Sequence, residues 1–432
     1  MSNQIVTVNV TQLIGSAPNT LQQTGAAVSQ GGTTLAAGAT ALITQVSDMT
    51  AILSQPITLS AIAWSSGTVT ATTINPHGIT TGQTVQGVIA GVTPTGYNGT
   101  FNVTATSTTQ FTYSLALNPG SETVLGTFGF GSAVQLAAIA NTFFAQSTNL
   151  AFYVLELGIG GTAQGVTALE TYIANPSTKF YAYLLPPTWD NESTAYPMAK
   201  QYASTTSQLY FYVTTTTGTY SNWSGIKSVF AVIQSPSAPA AEFSAAAFFY
   251  NALAFQPSAA NMVSPLEYTF LYGVTPYVLS SSLQTTLATA NVNWVSTGAQ
   301  GGISNSLIQT GNFMDGNPFN YWYSVDWMAI NSAEALAAAV INGSNTPGNP
   351  LYYNQPGINN LQKVAQNVAN NGISFGLVLA PATVTAVPFA TYVQQNPANY
   401  SKGIYTGLSL TFTPLRGFAA ITINLTASNI PA

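Results

Sequence analysis

The sequence predicts a multidomain protein of mixed α+β and α/β class. It comprises an α/β core with a mixed sheet and helices, β-strand arms at both ends, and a small inserted all-β domain of sandwich or barrel type. Three observations predict this. At both ends apolar residues alternate with polar ones: Val6, Val8 and Val10 against Thr7, Asn9 and Thr11, then Ile421, Ile423 and Leu425 against Thr422, Asn424 and Thr426. That is the period of a half-buried strand. Between Asp48 and Glu122 no Asp, Glu, Lys or Arg occurs, and short alternating runs are separated by turn residues. From about Ala133 onward, strand-length apolar runs alternate with helical patterns, the signature of a mostly parallel sheet covered on both faces. The organisation read from these features is an N-terminal arm and the start of the core over 1–56, the inserted β domain over 57–130, the α/β core over 131–400, and a C-terminal strand region and arm over 401–432.

After the first arm, "SQGGTTLAAGATALITQVSD" reads as short strands and turns. In the β domain, the runs "GTVTATT", "TVQGVIA", "GTFNVTATS" and "QFTYSLAL" are strands punctuated by "PHG", "TTG", "YNG" and "NPG". Next, "AVQLAAIANTFFAQ" is a helix, Asn149 to Leu157 an apolar strand, and Gly158 to Gly165 a Gly-rich loop leading into the helix "VTALETYIAN". "KFYAYLLP", "QLYFYVTT" and "KSVFAVIQ" are strands, and "ESTAYPMAKQYAS" and Ala241 to Ala254 are helices. A helix is expected over Asn331 to Ser344, stopped at Asn342-Gly343. Another places Leu361, Val364, Ala365 and Val368 on one face and ends at Gly372. Leu408, Leu410 and Phe412 alternate with Ser409, Thr411 and Thr413 as a further strand.

Composition narrows the function. Only 4 % of the 432 residues are charged, with six Lys+Arg, eleven Asp+Glu and a net charge of −5, against about 25 % in an ordinary soluble domain. A surface of Thr, Ser, Asn, Gln and Gly costs little to desolvate and repels its copies weakly, which favours a large assembly. Without a basic cluster, binding to nucleic acid lacks its driving force. The absence of cysteine excludes disulfides, thiolate catalysis and Cys-based metal sites. "MSNQIVTVNV" has neither the basic nor the apolar region of a secretory signal. The apolar stretch Ala241 to Gln256, interrupted by Glu242 and Asn251, is too short to span a membrane and reads as a buried helix.

The candidate chemical motifs have simple structural readings. His77, the single histidine, sits in a Pro-X-Gly turn with no carboxylate, lysine or thiol nearby in sequence, so an exposed or ring-packed turn residue is favoured over catalysis. "LGIGGTAQG" follows a strand and precedes a helix, but lacks the G-x-G-x-x-G and G-K-[ST] spacings, leaving a tight βα turn. Asp190 and Glu192 are two residues apart beside a helix start and read as helix caps rather than a glycosidase pair. Asp315 and Asp326 lie in aromatic settings; the readings are a loop turn and a buried or capping carboxylate, or, in a carbohydrate-active enzyme, a catalytic pair. No catalytic residue, cofactor or metal site is assigned.

The order "PHG…TG…GVTPTGYNGTF…TTQFTY" resembles a small β module inserted in phage virion proteins, in which the PHG turn closes a hairpin and YNGTF starts a strand. More widely, "SNQIVTVNVT", "GGTTLAAGATALITQVSDMTAIL", "NTFFAQSTNLAFYVLELG", "YIANPSTKFYAYLLPPTWD", "DGNPFNYWYSVDWMAINSAEALAAAVING" and "GLSLTFTPLRGFAAITINLTASNI" together resemble the contractile tail sheath proteins of myovirus-type bacteriophages. They cover nearly the whole chain in consistent order. The resemblance implies a subunit polymerised as helical rings around a tail tube, with baseplate and tail terminator proteins as further partners. It implies assembly in the host bacterial cytoplasm into the virion tail, and contraction that drives the tube through the host envelope. It also implies that terminal strands are exchanged between subunits, here Val6, Val8, Val10, Ile421, Ile423 and Leu425, and that the C-terminal region faces the tube, with Lys402 and Arg416 as the candidate contacts. Direct nucleic-acid binding and stable membrane insertion are not expected. The alternative from another class is a surface-layer or adhesin-type carbohydrate-binding protein using Trp64 or Tyr97 of the β module.

Overall fold

The computed structural model describes residues 20–298, 305–346 and 350–419. By internal contacts these residues form two units, one comprising Leu21–Ala254 and Pro265–Phe319, the other Phe255–Ser264 and Asn320–Phe418.

In the first unit the chain begins with β1 (Gly25–Ser29), β2 (Thr40–Ile43) and α1 (Val46–Ile52). It then enters six strands: β3 (Ile57–Ser65), β4 (Thr68–Thr73), β5 (Thr84–Ala90), β6 (Gly99–Ala105), β7 (Gln110–Ser114) and β8 (Thr127–Phe130). These close into an antiparallel barrel in the order β3-β4-β7-β6-β5-β8. The alternation in the sequence becomes an inside and an outside: Val69, Ala71, Val103, Phe111, Tyr113 and Phe128 fill the interior. Closure leaves no open edge. One expectation is corrected here. The PHG turn does not close a hairpin, because it joins β4 to β5 and these strands are not neighbours in the barrel. Strand order depends on which faces meet across the barrel, and a local turn motif does not encode that.

The chain continues through α2 (Gly131–Gln146), β9 (Phe152–Glu156), α3 (Thr162–Ala174), β10 (Ala182–Leu184), α4 (Ala195–Gln201), β11 (Tyr210–Thr215), β12 (Val229–Ile233) and α5 (Ser244–Leu253). After residue 264 it adds α6 (Ser281–Thr289), β13 (Asn293–Thr297) and β14 (Ser306–Gln309). The result is an eight-stranded sheet ordered β14-β13-β12-β11-β10-β1-β9-β2, parallel except at its two edges. Strands β1, β10 and β12 are buried on both faces, as a parallel sheet with helical cover requires. Val229, Ala231 and Ile233 face the cluster that includes Val166, Leu169 and Met198 of α3 and α4. Phe230, between them, packs at 5.9 Å from Phe248 of α5. Small residues let β1 lie inside this sheet, between β10 and β9. A Cβ on Gly25 would collide with the Phe249 ring and come within 2.8 Å of Leu253.

In the second unit α7 (Phe319–Ser344) and α8 (Gln355–Ser374) precede β15 (Val378–Ala386), α9 (Phe389–Gln395), α10 (Pro397–Ser401) and β16 (Leu408–Pro414). The α7 helix begins twelve residues before the expected Asn331. Pro318 stands just ahead of it, and buried Trp322, Tyr323, Trp327, Met328 and Ile330 supply an apolar face at helical spacing. The α8 helix starts at an Asn354 cap whose side chain accepts from Gly357 N at 2.9 Å. It does not end at Gly372. Gly376, at φ +67°, takes the left-handed position, and Leu377 N bonds back to Gly372 O at 2.9 Å, completing a Schellman turn. β15 and β16 form a two-stranded antiparallel ribbon whose buried residues Val378, Ala382 and Val384 share a face.

Candidate functional site

His77 is 2 % exposed, edge-on to Phe111 at 5.9 Å and Phe128 at 6.4 Å. The Ile79 N–H donates to Nδ1 at 3.1 Å, and Nε2 lies 3.4 Å from the Gln110 carbonyl. An amide donor on one nitrogen and a carbonyl on the other define the neutral tautomer protonated at Nε2. Burial holds the imidazole pKa below its usual value. The histidine is thus a ring-packed plug of the barrel, with both nitrogens engaged by main chain.

The Gly-rich loop after β9 uses its polar groups internally. Gly161 N donates to Gln164 Oε1 at 2.7 Å, and Gln30 Nε2 donates to Gly161 O at 2.9 Å. Beside it lies a residue that the sequence reading missed. The Glu156 carboxylate, 1 % exposed, accepts from Ser29 Oγ at 2.7 Å, Gly31 N at 2.7 Å, Thr33 N at 3.2 Å, Thr33 Oγ1 at 2.8 Å and Gly158 N at 2.8 Å. It pins the ends of β1 and β9 together. Four of its five donors come from residues 29–33, more than 120 positions away, so no local spacing announced it.

Asp190 corrects an expectation. It is buried and does not cap α4: its carboxylate accepts from Trp223 Nε1 at 2.8 Å and from Thr219 Oγ1, bracing the turn after β10 against the segment after β11. Glu192 is the residue beside the helix start. It accepts from Thr194 N at 3.3 Å and from Thr162 Oγ1 at 2.5 Å, and the Thr162 hydroxyl is the main reason its pKa lies below the ordinary carboxylate range. Asp315 forms the expected turn, accepting from Asn317 N at 3.0 Å, with Gly316 at φ +88°. Asp326 is buried at 1 % exposure on α7. Glu242 is buried as well, accepting from Thr275 N and Oγ1 at 3.0 and 2.6 Å. Lys227 is buried beneath the Ser204 and Ser207 carbonyls at 3.0 and 2.6 Å. Five of the seventeen charged residues are therefore buried, and the surface carries even less charge than the composition suggests.

Tyr97 is 2 % exposed and bonds Gly120 O at 2.8 Å; Trp64 is half-buried, with Nε1 on Leu115 O at 2.7 Å. Neither is an open stacking platform. Among the described residues no group of three or more His, Cys, Asp or Glu could hold a metal ion, and no helix is long and apolar enough to cross a membrane.

The β15–β16 ribbon has two unequal edges. On β15, Val384 N donates to Gln366 Oε1 at 2.9 Å, Gln366 Nε2 donates to Ala382 O at 2.8 Å, and Gln362 Nε2 donates to Val384 O at 2.9 Å. Two glutamines one turn apart on α8 thus occupy that edge. Because the main chain of Val384 points outward, its partner Leu410 belongs to a non-hydrogen-bonded pair and also points its N–H and C=O away from the ribbon. That outer edge of β16 has no strand partner among the described residues. Lys402 and Arg416 flank β16, both exposed, and the Arg416 guanidinium lies 5.2 Å over the Tyr321 ring. Val6, Val8, Val10, Ile421, Ile423 and Leu425 lie outside the described residues.

The chain matches no described protein family and no curated protein. Among solved structures it is similar to a sheath tail protein from Listeria innocua at 10% identity, over 84% of this chain and 88% of that chain, with a TM-score of 0.42. It is similar to a sheath tail protein from Desulfitobacterium hafniense at 10% identity, over 94% and 100%, with a TM-score of 0.44. It is also similar to a chain of an anti-feeding prophage baseplate in the contracted state at 11% identity, over 99% and 98%, with a TM-score of 0.47.

Proposed function

We propose that this chain is a structural, non-enzymatic subunit of a contractile phage tail sheath, polymerising as helical rings around a tail tube and contracting to drive that tube through a host envelope. The observation that carries the reading is the outer edge of β16, open among the described residues, which supports the strand exchange that the sequence resemblance implies. A strand from a neighbouring copy adds to such an edge through main-chain hydrogen bonds. Each is worth only about 1 kcal/mol net, so persistence comes from many joints in a lattice. Contacts of this kind that do not close into a ring of fixed number generate helical tubes. A surface with few ions repacks without breaking many ion pairs, which suits a lattice with two packings.

In this reading residues 1–12 and 420–432 are the exchanged arms, carrying Val6, Val8, Val10, Ile421, Ile423 and Leu425. Lys402 and Arg416 face the tube, and baseplate and terminator proteins bound the polymer in the virion tail. The test is negative-stain electron microscopy over a concentration series of the full chain, the 1–12 deletion and Leu410→Pro. Proline at 410 removes the outward N–H and leaves the ribbon's own hydrogen bonds in place. Tubes or stacked rings are expected from the full chain, and folded but unassembled protein from both variants. Normal tubes from both variants would refute strand exchange.

A further inference from the structure

The parallel strands of the eight-stranded sheet run in the spatial order β9-β1-β10-β11-β12-β13, so the direction of winding reverses at β1. In open α/β sheets, the carboxyl ends of the strands beside such a reversal form a crevice where ligands bind. Here that crevice is a cleft of about 680 Å³, walled by the segments after β1, β9 and β10 and by barrel strands β5 and β6. A second lobe of about 280 Å³ continues along the carboxyl ends of β11 and β12, sharing Gln135 with the first.

The lining has an unusual chemistry. The Gln30, Gln86 and Gln164 amides are engaged with neighbouring groups. The Gln83, Asn102 and Asn191 amides and the Thr188 hydroxyl face the larger lobe with no hydrogen-bond partner among the described residues. In the smaller lobe, beside Phe243 and Pro187, Thr214 Oγ1 is buried with no partner. A buried hydroxyl left unpaired costs free energy that a bound group can recover.

Several ligand classes do not match this lining. No Lys or Arg lines either lobe, and the Glu192 carboxylate lies at the wall beside the first turn of α3, so a phosphate or carboxylate ligand would meet a full negative charge with no side-chain cation to offset it. The barrel is closed and β1, β9 and β10 are interior strands, so no strand edge is available to pair with a peptide main chain. A wholly apolar ligand would strand the free amides out of water. Hydroxyl groups, each a donor and an acceptor, match carboxamides and threonine hydroxyls one for one.

We propose that the two-lobed cleft at the carboxyl ends of the parallel strands binds a short neutral oligosaccharide, held by Gln83, Asn102, Thr188 and Asn191 in the larger lobe and by Thr214 in the smaller. The site stands on the cleft alone and does not rest on the sheath reading; tube formation and sugar binding are separate measurements.

The test is isothermal titration of the full chain with maltotriose and with the N-acetylglucosamine trimer. Inorganic phosphate and a capped Asn-Thr dipeptide serve as comparators. One of the two sugars is expected to bind. The Gln83→Ala/Asn191→Ala double variant is expected to weaken it about tenfold or more, as loss of two hydrogen bonds implies. Thr214→Val is expected to weaken it severalfold with an unchanged melting temperature. Absence of binding by both sugars at millimolar concentration would overturn the proposal. So would affinity unchanged in the double variant, or equal binding of phosphate or the dipeptide with the same sensitivity to the variants.

Discussion

The barrel and the β15–β16 ribbon are built from similar sequence. Both are antiparallel, both alternate apolar residues with Thr and Ser, and neither contains a charged residue within its strands. They differ in how they end. Six strands return on themselves, so every barrel strand has a neighbour on each side. The ribbon is two-stranded, and its two edges are treated differently: one is occupied by Gln362 and Gln366, while the other, along β16, has no strand partner among the described residues. An isolated pair of strands is marginal in water, so the ribbon depends on the helix beside it. The same local pattern therefore gives a closed barrel in one place and a two-stranded ribbon with unequal edges in the other. An edge with no strand partner among the described residues suits a protein that joins its copies by strand addition.

The comparison can be broken most forcefully from the barrel side. Phe128 is fully buried and packs at 4.7 Å from Phe111 and 5.4 Å from Phe130. Phe128→Ala is expected to cost about 3–5 kcal/mol, the usual cost of emptying a core aromatic site, measured by urea unfolding with hydrogen exchange across residues 57–130. If the barrel is self-sufficient, protection is lost there and retained in the ribbon. Equal loss in both regions would mean that the two do not stand independently.

The ribbon side is expected to give a smaller but more informative change. Gln366→Ala releases Val384 N and Ala382 O, costing about 1–3 kcal/mol if they stay dry. It also frees part of the stapled edge, leaving Gln362 alone on Val384 O, and unpaired edge groups recruit other chains. Static light scattering should therefore show more self-association than in the parent protein, and the Gln366→Ala/Leu410→Pro pair should retain this increase. Association unchanged by Gln366→Ala would show that the staple serves stability alone.

Much of this architecture is legible in the sequence because it rests on local periodicity. Four barrel strands, the apolar strands β9, β11 and β12 and the helices α2, α3 and α8 all follow from alternation or helical spacing. The features that escaped are set by non-local partners. Gly25, Ala26 and Ala27 of β1 show no alternation, yet the missing side chain at Gly25 is what lets Phe249 and Leu253 of α5 pack against the strand. The first half of α7 precedes the expected helix start at Asn331, and its helical face is evident only from the packing of its aromatic residues. Glu156, Asp190 and the glutamine staple are defined, Gly158 apart, by donors and acceptors 16 to 127 residues away, which no single window of sequence contains. The cleft needs the barrel wall and the strand ends together, and only the fold brings them into register.

The smallest expected effect sharpens the comparison through the barrel's one titratable plug. His77 is neutral, with Nδ1 accepting the Ile79 N–H. A proton added to Nδ1 would face that N–H donor directly and bury a charge among Phe111 and Phe128. The residues shown packed on the ring, Phe111, Phe128, Ile79 and Gln110, carry no charge, and the nearest acid in the barrel sequence is Glu122. A folded pKa held below the unfolded value means that the unfolded chain binds the proton first. The histidine's contribution to stability is then complete above the unfolded value of about 6.5. It declines as pH falls through that value, with a slope of at most about 1.4 kcal/mol per pH unit. Glu267, whose pKa is raised by burial, acts in the opposite sense at the lower end of this range, so the informative quantity is a difference between two proteins. His77→Gln keeps an acceptor for Ile79 and a donor for Gln110 without the titration. The urea midpoint of the parent protein is expected to fall between pH 7.5 and 5.0 by more than that of His77→Gln, with the excess confined to exchange within residues 57–130. Parallel pH profiles for the two proteins would show that the barrel accommodates the protonated ring, and that closure of the barrel tolerates a buried charge better than its packing implies.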